Sequence, residues 1–99
     1  MSSQRETRQV MWPDGTVLAT VEYLDGVPDG VSRSFSMTGE LRQECHFLGG
    51  KLHGDYKTWW DNGKLKEQGQ YASGIRVGRH EWFDRDGTAE KVVDYPPAL

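Results

Sequence analysis

Apolar and polar residues alternate in short runs broken by glycine, and the runs return at a fixed spacing. Gly15, Gly39, Gly63 and Gly87 stand 24 residues apart, as do Gly26, Gly50 and Gly74, and again Gly30, Gly54 and Gly78. These three registers hold ten of the twelve glycines, far more than chance would place there. Apolar columns keep the same period: Met11, Phe35, Trp59 and Phe83; Val17, Leu41, Leu65 and Ala89; Tyr23, Phe47, Tyr71 and Tyr95. A period of this length marks a stacked-repeat architecture.

Each unit reads as a β-hairpin: a short strand, a glycine turn, a second strand, and a linker with two more glycines. The turns are Trp12-Pro13-Asp14-Gly15, Ser36-Met37-Thr38-Gly39, Trp60-Asp61-Asn62-Gly63 and Asp84-Arg85-Asp86-Gly87. Asp-Gly and Asn-Gly suggest a two-residue loop, but that register would pair Trp59 with Lys66 and Phe35 with Arg42. A three-residue loop, a type I turn closed by a glycine bulge, pairs Trp59 with Leu65, Phe35 with Leu41, Met11 with Val17 and Phe83 with Ala89. It keeps like with like, because residues paired across a hairpin share a face. It also puts Pro13 where its fixed φ is favoured.

This register predicts a core face carrying those four pairs with Val21, Cys45, Val93 and the 23/47/71/95 aromatics. On the same face it predicts cross-strand ion pairs between Lys57 and Glu67 and between Glu81 and Lys91. The opposite face then holds Ser32, Ser34, Ser36, Tyr56, Thr58, Trp60, His80, Trp82 and Asp84. Gly30, Gly54 and Gly78 are expected at positive φ where each linker enters the next hairpin. The fold expected is all-β: one elongated antiparallel sheet of four stacked 24-residue hairpins, with units at about 7–30, 31–54, 55–78 and 79–95. The whole chain, 1–99, forms one repeat domain, with 1–6 and 96–99 as flexible ends.

Composition agrees with a turn-rich β protein. The 99 residues include twelve glycines and eleven aromatics against 35% hydrophobic residues overall, and mean hydropathy is -0.75. No apolar run approaches a membrane span, and the first twenty residues lack the features of a secretion signal. The expectation is a soluble, cytoplasmic chain. Net charge is -3, with no 24-residue segment strongly one-sided. Nucleic-acid binders carry a basic stripe to displace counterions from phosphate, so no nucleic-acid partner is expected. The mild acidity favours a basic protein partner. Cys45 is the single cysteine, which removes any disulfide framework and any thiolate cluster for zinc.

Candidate chemistry is sparse. No Gly-x-Ser-x-Gly elbow is present, and Cys45 and His46, adjacent in a strand, point to opposite faces. His46, His53 and His80 occupy different repeat positions, so no metal-ligand spacing recurs. No glycine-rich turn leads into a helix to cradle phosphate. An enzyme is therefore not expected, nor a cofactor. Asp84, Asp86, Glu90 and Asp94 make an acidic end that reads either as a solvated edge discouraging strand pairing or as a docking patch. The informative residues are tryptophans on the polar face. Interfaces favour large rigid amphipathic rings, so Trp12, Tyr56, Trp60, His80, Trp82 and Asp84 are the candidate partner-binding residues. The alternative is that these rings pack on one another or on the stems of Lys66 and Arg42.

The stretch from Tyr56 to Gly87 resembles the MORN-repeat variant of bacterial YwqK-type antitoxins. The third unit carries most of the likeness, in Trp59, Trp60, Asn62, Gly63, Lys64, Leu65, Tyr71, Gly74 and Gly78. The fourth unit keeps Gly87 and Tyr95 but has Ala89 in place of leucine, and the first two are looser. The resemblance implies a non-catalytic protein-binding module, an antitoxin or immunity protein that neutralises a toxin or effector by steric binding; a monomer or weak homodimer is expected. A lipid-surface repeat is an alternative, made less favourable by acidic charge, and a structural spacer is another.

Overall fold

A computed structural model describes residues 2–97. Eight strands follow one another: β1 (Arg5–Met11), β2 (Val17–Leu24), β3 (Val27–Phe35), β4 (Leu41–Leu48), β5 (Lys51–Trp59), β6 (Leu65–Ala72), β7 (Ile75–Phe83) and β8 (Ala89–Tyr95). They form one antiparallel sheet in sequence order, β1 at one edge and β8 at the other. The sheet is open and a single layer thick, 47 × 42 × 13 Å, and there is no helix among the described residues.

The three-residue loops form as the register argument requires. In the third hairpin the Gly63 amide donates to the Trp60 carbonyl at 3.0 Å and the Trp60 amide to the Lys64 carbonyl at 2.8 Å, and the other three turns repeat both bonds. The pairs Met11–Val17, Phe35–Leu41, Trp59–Leu65 and Phe83–Ala89 are all present. One residue beyond each pair the ladder slips. Thr58 opposes Glu67 rather than Lys66, and the same step leaves Leu18, Arg42 and Glu90 as the extra residue in the other hairpins. An extra residue is a β-bulge, and because side chains alternate with a period of two, it exchanges the faces of everything that follows.

The expected core face is therefore divided between two faces. Pairing puts Val21 beside Ser32, Ser32 beside Cys45, Cys45 beside Tyr56, and His80 beside Val93. Val21, Cys45 and Val93 thus share a face with the serines, Tyr56, His80 and Trp82. The Phe35, Trp59 and Phe83 row lies on the reverse with Arg33, Glu44, Lys57, Gln68 and Glu81. The expected ion pairs are not formed: Lys57 opposes Gln68 and Glu81 opposes Val92. Arg33 instead meets Glu44 at 2.7 Å, and Gln68 donates to Glu81 at 3.0 Å. This reverse side is called the ladder face below, and the other the aromatic face.

The linkers are two-residue turns, with Leu24 paired to Val27, Leu48 to Lys51 and Ala72 to Ile75. Both turn residues have positive φ, including Asp25 at 51° and Ser73 at 50°, the signature of a type I′ turn whose twist suits the flanking strands. Gly30, Gly54 and Gly78 do have positive φ, at 108°, 98° and 70°, and they lie inside strands β3, β5 and β7 at a further bulge. Each pairs with the aromatic seventeen residues on: Gly30 with Phe47, Gly54 with Tyr71, Gly78 with Tyr95. Two columns that look independent in the sequence are thus one structural unit, a ring set across a glycine. In β1 that glycine position is Glu6, which faces Tyr23.

Arg5 and Glu6, expected in a flexible end, are paired in β1 to Leu24 and Tyr23. Arg5 reaches across the sheet margin to the Asp29 carboxylate at 2.9 Å. Pro96 and Pro97 follow β8 outside any strand. The expectation for Met1, Ala98 and Leu99 falls outside the described residues.

Candidate binding face

The aromatic face is built from the middle row outward. Along that row stand Val21, Ser32, Cys45, Tyr56, Gly69, His80 and Val93, one from each strand after β1. Only two of the described residues are buried, Cys45 at 2% and His80 at 0% exposure, and both are in this row. Burial pushes the Cys45 thiol pKa up, and the same cause, with Glu67 as a secondary one, raises that of the Tyr56 phenol.

His80 is seated by a missing side chain. Its column, Val21, Cys45 and Val93, carries glycine at 69, and Gly69 alone among the glycines is not at positive φ. A Cβ there would collide with Nδ1, Cγ and Cε1 of the imidazole. Gly69 is therefore a glycine of space rather than of conformation. Nε2 lies 2.8 Å from the Gln70 carbonyl and 3.2 Å from the Gln70 amide, and the tautomer decides which of the two it bonds, while Nδ1 is buried with no partner among the described residues, like the hydroxyl of Thr58.

Around this imidazole the large rings gather. Tyr71 and Tyr95 meet His80 edge-on with centroids 5.6 and 5.1 Å away, and Trp82 lies at 5.9 Å. Tyr56 joins through Tyr71 at 5.3 Å. Cations cover the outer rings: Lys91 stands 5.0 Å from the Trp82 ring, and the Arg76 guanidinium is 5.8 Å from Tyr71 and 5.9 Å from Trp82. Arg76 is also 3.8 Å from Glu67. At the β1 margin Arg8 lies 4.1 Å from the Tyr23 ring while bonded to Glu6.

The candidate residues separate into two groups. Tyr56, His80 and Trp82 belong to the cluster, with His80 as its buried floor. Trp12 and Trp60 sit at the turn edge and join hairpins: Trp12 Nε1 donates to the Phe35 carbonyl at 3.3 Å and Trp60 Nε1 to the Phe83 carbonyl at 3.0 Å. Lys66, 4.6 Å from the Trp60 ring, and Arg85, at 5.5 Å, flank that indole. Asp84 caps its own loop, accepting from the amides of Asp86 and Thr88. Tyr71, Tyr95, Arg76 and Lys91 complete the cluster and were not among the candidates. The signal for them was in the chain, since Gly54 and Gly78 lie seventeen residues before Tyr71 and Tyr95.

Cys45 and His46 do lie on opposite faces, His46 being set against the Asp55 carbonyl at 3.2 Å. Among the described residues no group of histidine, cysteine and acidic side chains is arranged to hold a metal.

Residues 52–73 match the model of the MORN repeat variant. The match spans most of β5, its turn and β6, the hairpin that carries Trp59, Trp60, Gly63 and Tyr71. No curated protein and no solved structure matches the chain. The chain therefore contains a MORN repeat variant, within a sheet whose other hairpins repeat the same turn bonds and the same turn glycine at positive φ.

Proposed function

We propose that this chain is a non-catalytic protein-binding module, of the inhibitor type that neutralises a partner toxin or effector by covering it. The observation that carries the reading is a preformed sheet with one uncovered face of large rings, Tyr56, Tyr71, Trp82 and Tyr95 around His80. Such a surface offers apolar area without an ordering cost on binding. The charges on this face are engaged locally, Arg8 with Glu6 and Arg76 near Glu67. The partner is thus recognised by ring area more than by net charge. A basic partner steered by Asp84 is the weaker form of the reading, because Asp84 is committed to its loop.

The spacer reading has one specific support: Trp12 and Trp60 bond to the next hairpin and serve the sheet itself. Tagged protein used as bait in its host's lysate distinguishes the two. Expected is one partner at near-equal stoichiometry, toxic when expressed alone and neutralised on co-expression, with Trp82→Ala losing it in a variant that still melts cooperatively. A bait that retains nothing, or retention indifferent to Trp82→Ala, overturns the reading.

A further inference from the structure

The molecule has more surface than a chain of its size should. A compact monomer of 11.3 kDa exposes about 5,700 Å², whereas this one exposes 6530 Å². Its radius of gyration is 15.2 Å against about 12.6 Å for a compact chain of this length. The excess, roughly 800 Å², equals one partner's share of a standard protein–protein interface. Stable domains pack two layers around a core, and this sheet is one layer with two buried residues.

The edges do not offer the remedy. β8 stands where β2, β4 and β6 stand in their units, so a second copy's β1 could in principle continue the sheet. The inner junctions, however, place Gly30, Gly54 and Gly78 at positive φ, and β1 has Glu6 at that position. Arg5, Glu6 and Arg8 further mark β1 as a charged edge, a device that discourages strand addition.

The aromatic face is different, because its two halves differ in size. Toward β1 its middle and turn-side rows are low, with Ala19, Val21, Ser32 and Ser34, and Tyr23 under Arg8 stands up only at the linker margin; toward β8 it is high, with Tyr71, His80 and Trp82. A two-fold axis lying between β4 and β5 and running along the strands lays the low half of one copy on the high half of the other. That operation brings Ser32 over Gly69, Val21 over His80 and Ala19 over Trp82. It is an isologous interface of the commonest kind. It asks for no opposite charge, since the charges of the face are paired within each copy or stacked on rings.

We infer that in the free protein the aromatic face is covered by a second copy of this chain, forming a two-fold sheet sandwich. The inference rests on the preceding reading only in taking this face as a binding surface, and it makes the second copy and the protein partner competitors for it.

Sedimentation equilibrium over a wide concentration range tests it, using the full chain, Ser32→Lys on the aromatic face and Thr20→Lys on the ladder face. Expected is a species of twice the chain mass that Ser32→Lys weakens by roughly 100-fold, because it buries an ammonium against the facing copy, while Thr20→Lys leaves it unchanged. Small-angle scattering of the wild type gives a check that needs no variant: two layers about 10 Å apart against a single 13 Å layer. A wild type that stays monomeric, a single-layer scattering profile, or a dimer insensitive to Ser32→Lys overturns the inference. A dimer dissolved by Ser32→Lys with no partner ever retained sinks the inhibitor reading and leaves this one standing. A monomeric wild type that still captures its partner does the reverse.

Discussion

At the junction of the third and fourth hairpins the Trp60 indole donates to Phe83, the Asn62 amide to the Arg85 carbonyl and the Lys64 ammonium to the Asp86 carbonyl, while Arg85 pairs with Asp61. At the junction of the second and third the turn position is Ser36, which bonds within its own loop. There Arg42 alone reaches over, to the carbonyls of Trp60 and Asp61 at 3.4 and 3.5 Å. The backbone plan is the same in both places, down to the loop hydrogen bonds and the glycine φ values. The difference lies in the cement, an aromatic and amide clasp in one and a single long cation in the other. The faces show the same asymmetry, with Tyr71, His80 and Trp82 toward β8 and Ser32 and Ser34 toward β1. Glycines and turns set the architecture four times over, and side chains then decide which junction is clasped.

The sharpest way to break that contrast is at Gly69. Gly69→Ala drives a Cβ into a buried ring and should cost about 3 kcal/mol, read as a lowered midpoint in urea. Adding His80→Ala should recover much of the loss through a coupling above about 1 kcal/mol. A fully additive cycle would show that Gly69 does not act through His80.

The turn clasp comes next. Trp60→Ala removes a half-buried indole, its hydrogen bond and two stacked cations, an expected cost of about 2 kcal/mol; Trp12→Ala, with one longer bond, should cost about 1 kcal/mol. Equal effects at the two sites would erase the difference drawn between the halves. Ser36→Trp sharpens it from the other side, since an indole there should raise the melting temperature if the clasp is transferable.

A smaller effect is expected at the linker margin. Asp29 accepts from the Gly49 amide at 3.1 Å and from Arg5, and these bonds, the amide first, hold its carboxyl pKa below the ordinary value. A carboxylate so depressed contributes stability above its unfolded pKa and loses it as pH falls through the folded one. Acid should therefore loosen the contacts of Arg5 and Gly49 before the sheet centre, seen as earlier amide exchange at Gly49. Asp29→Asn should flatten that dependence and leave the urea midpoint at neutral pH nearly unchanged.

The period, the loop length and the four apolar pairs were legible because each rests on local chemistry: a glycine needing positive φ, a proline needing its φ, and like residues pairing across a turn. The faces beyond the turn were not. The extra residue in the second strand is Leu18, Arg42, Lys66 or Glu90, an aliphatic, two cations and an acid, so no single residue type announces the bulge. The bulge moves Lys57 away from Glu67 and puts Val21 and Cys45 on the side of Tyr56 and His80. The candidate tryptophans were visible as residues, but whether an indole faces outward or clasps a neighbour depends on a carbonyl 23 positions away.

Thus the linear order of glycines and apolar residues, acting through φ preferences and cross-turn pairing, determined an eight-stranded meander of 24-residue units. Tertiary structure alone decided which side chains meet across the strands beyond those four cross-turn pairs. A single unpaired residue per hairpin exchanges the two faces, and a ring such as His80 is buried only where a distant strand supplies a glycine beneath it.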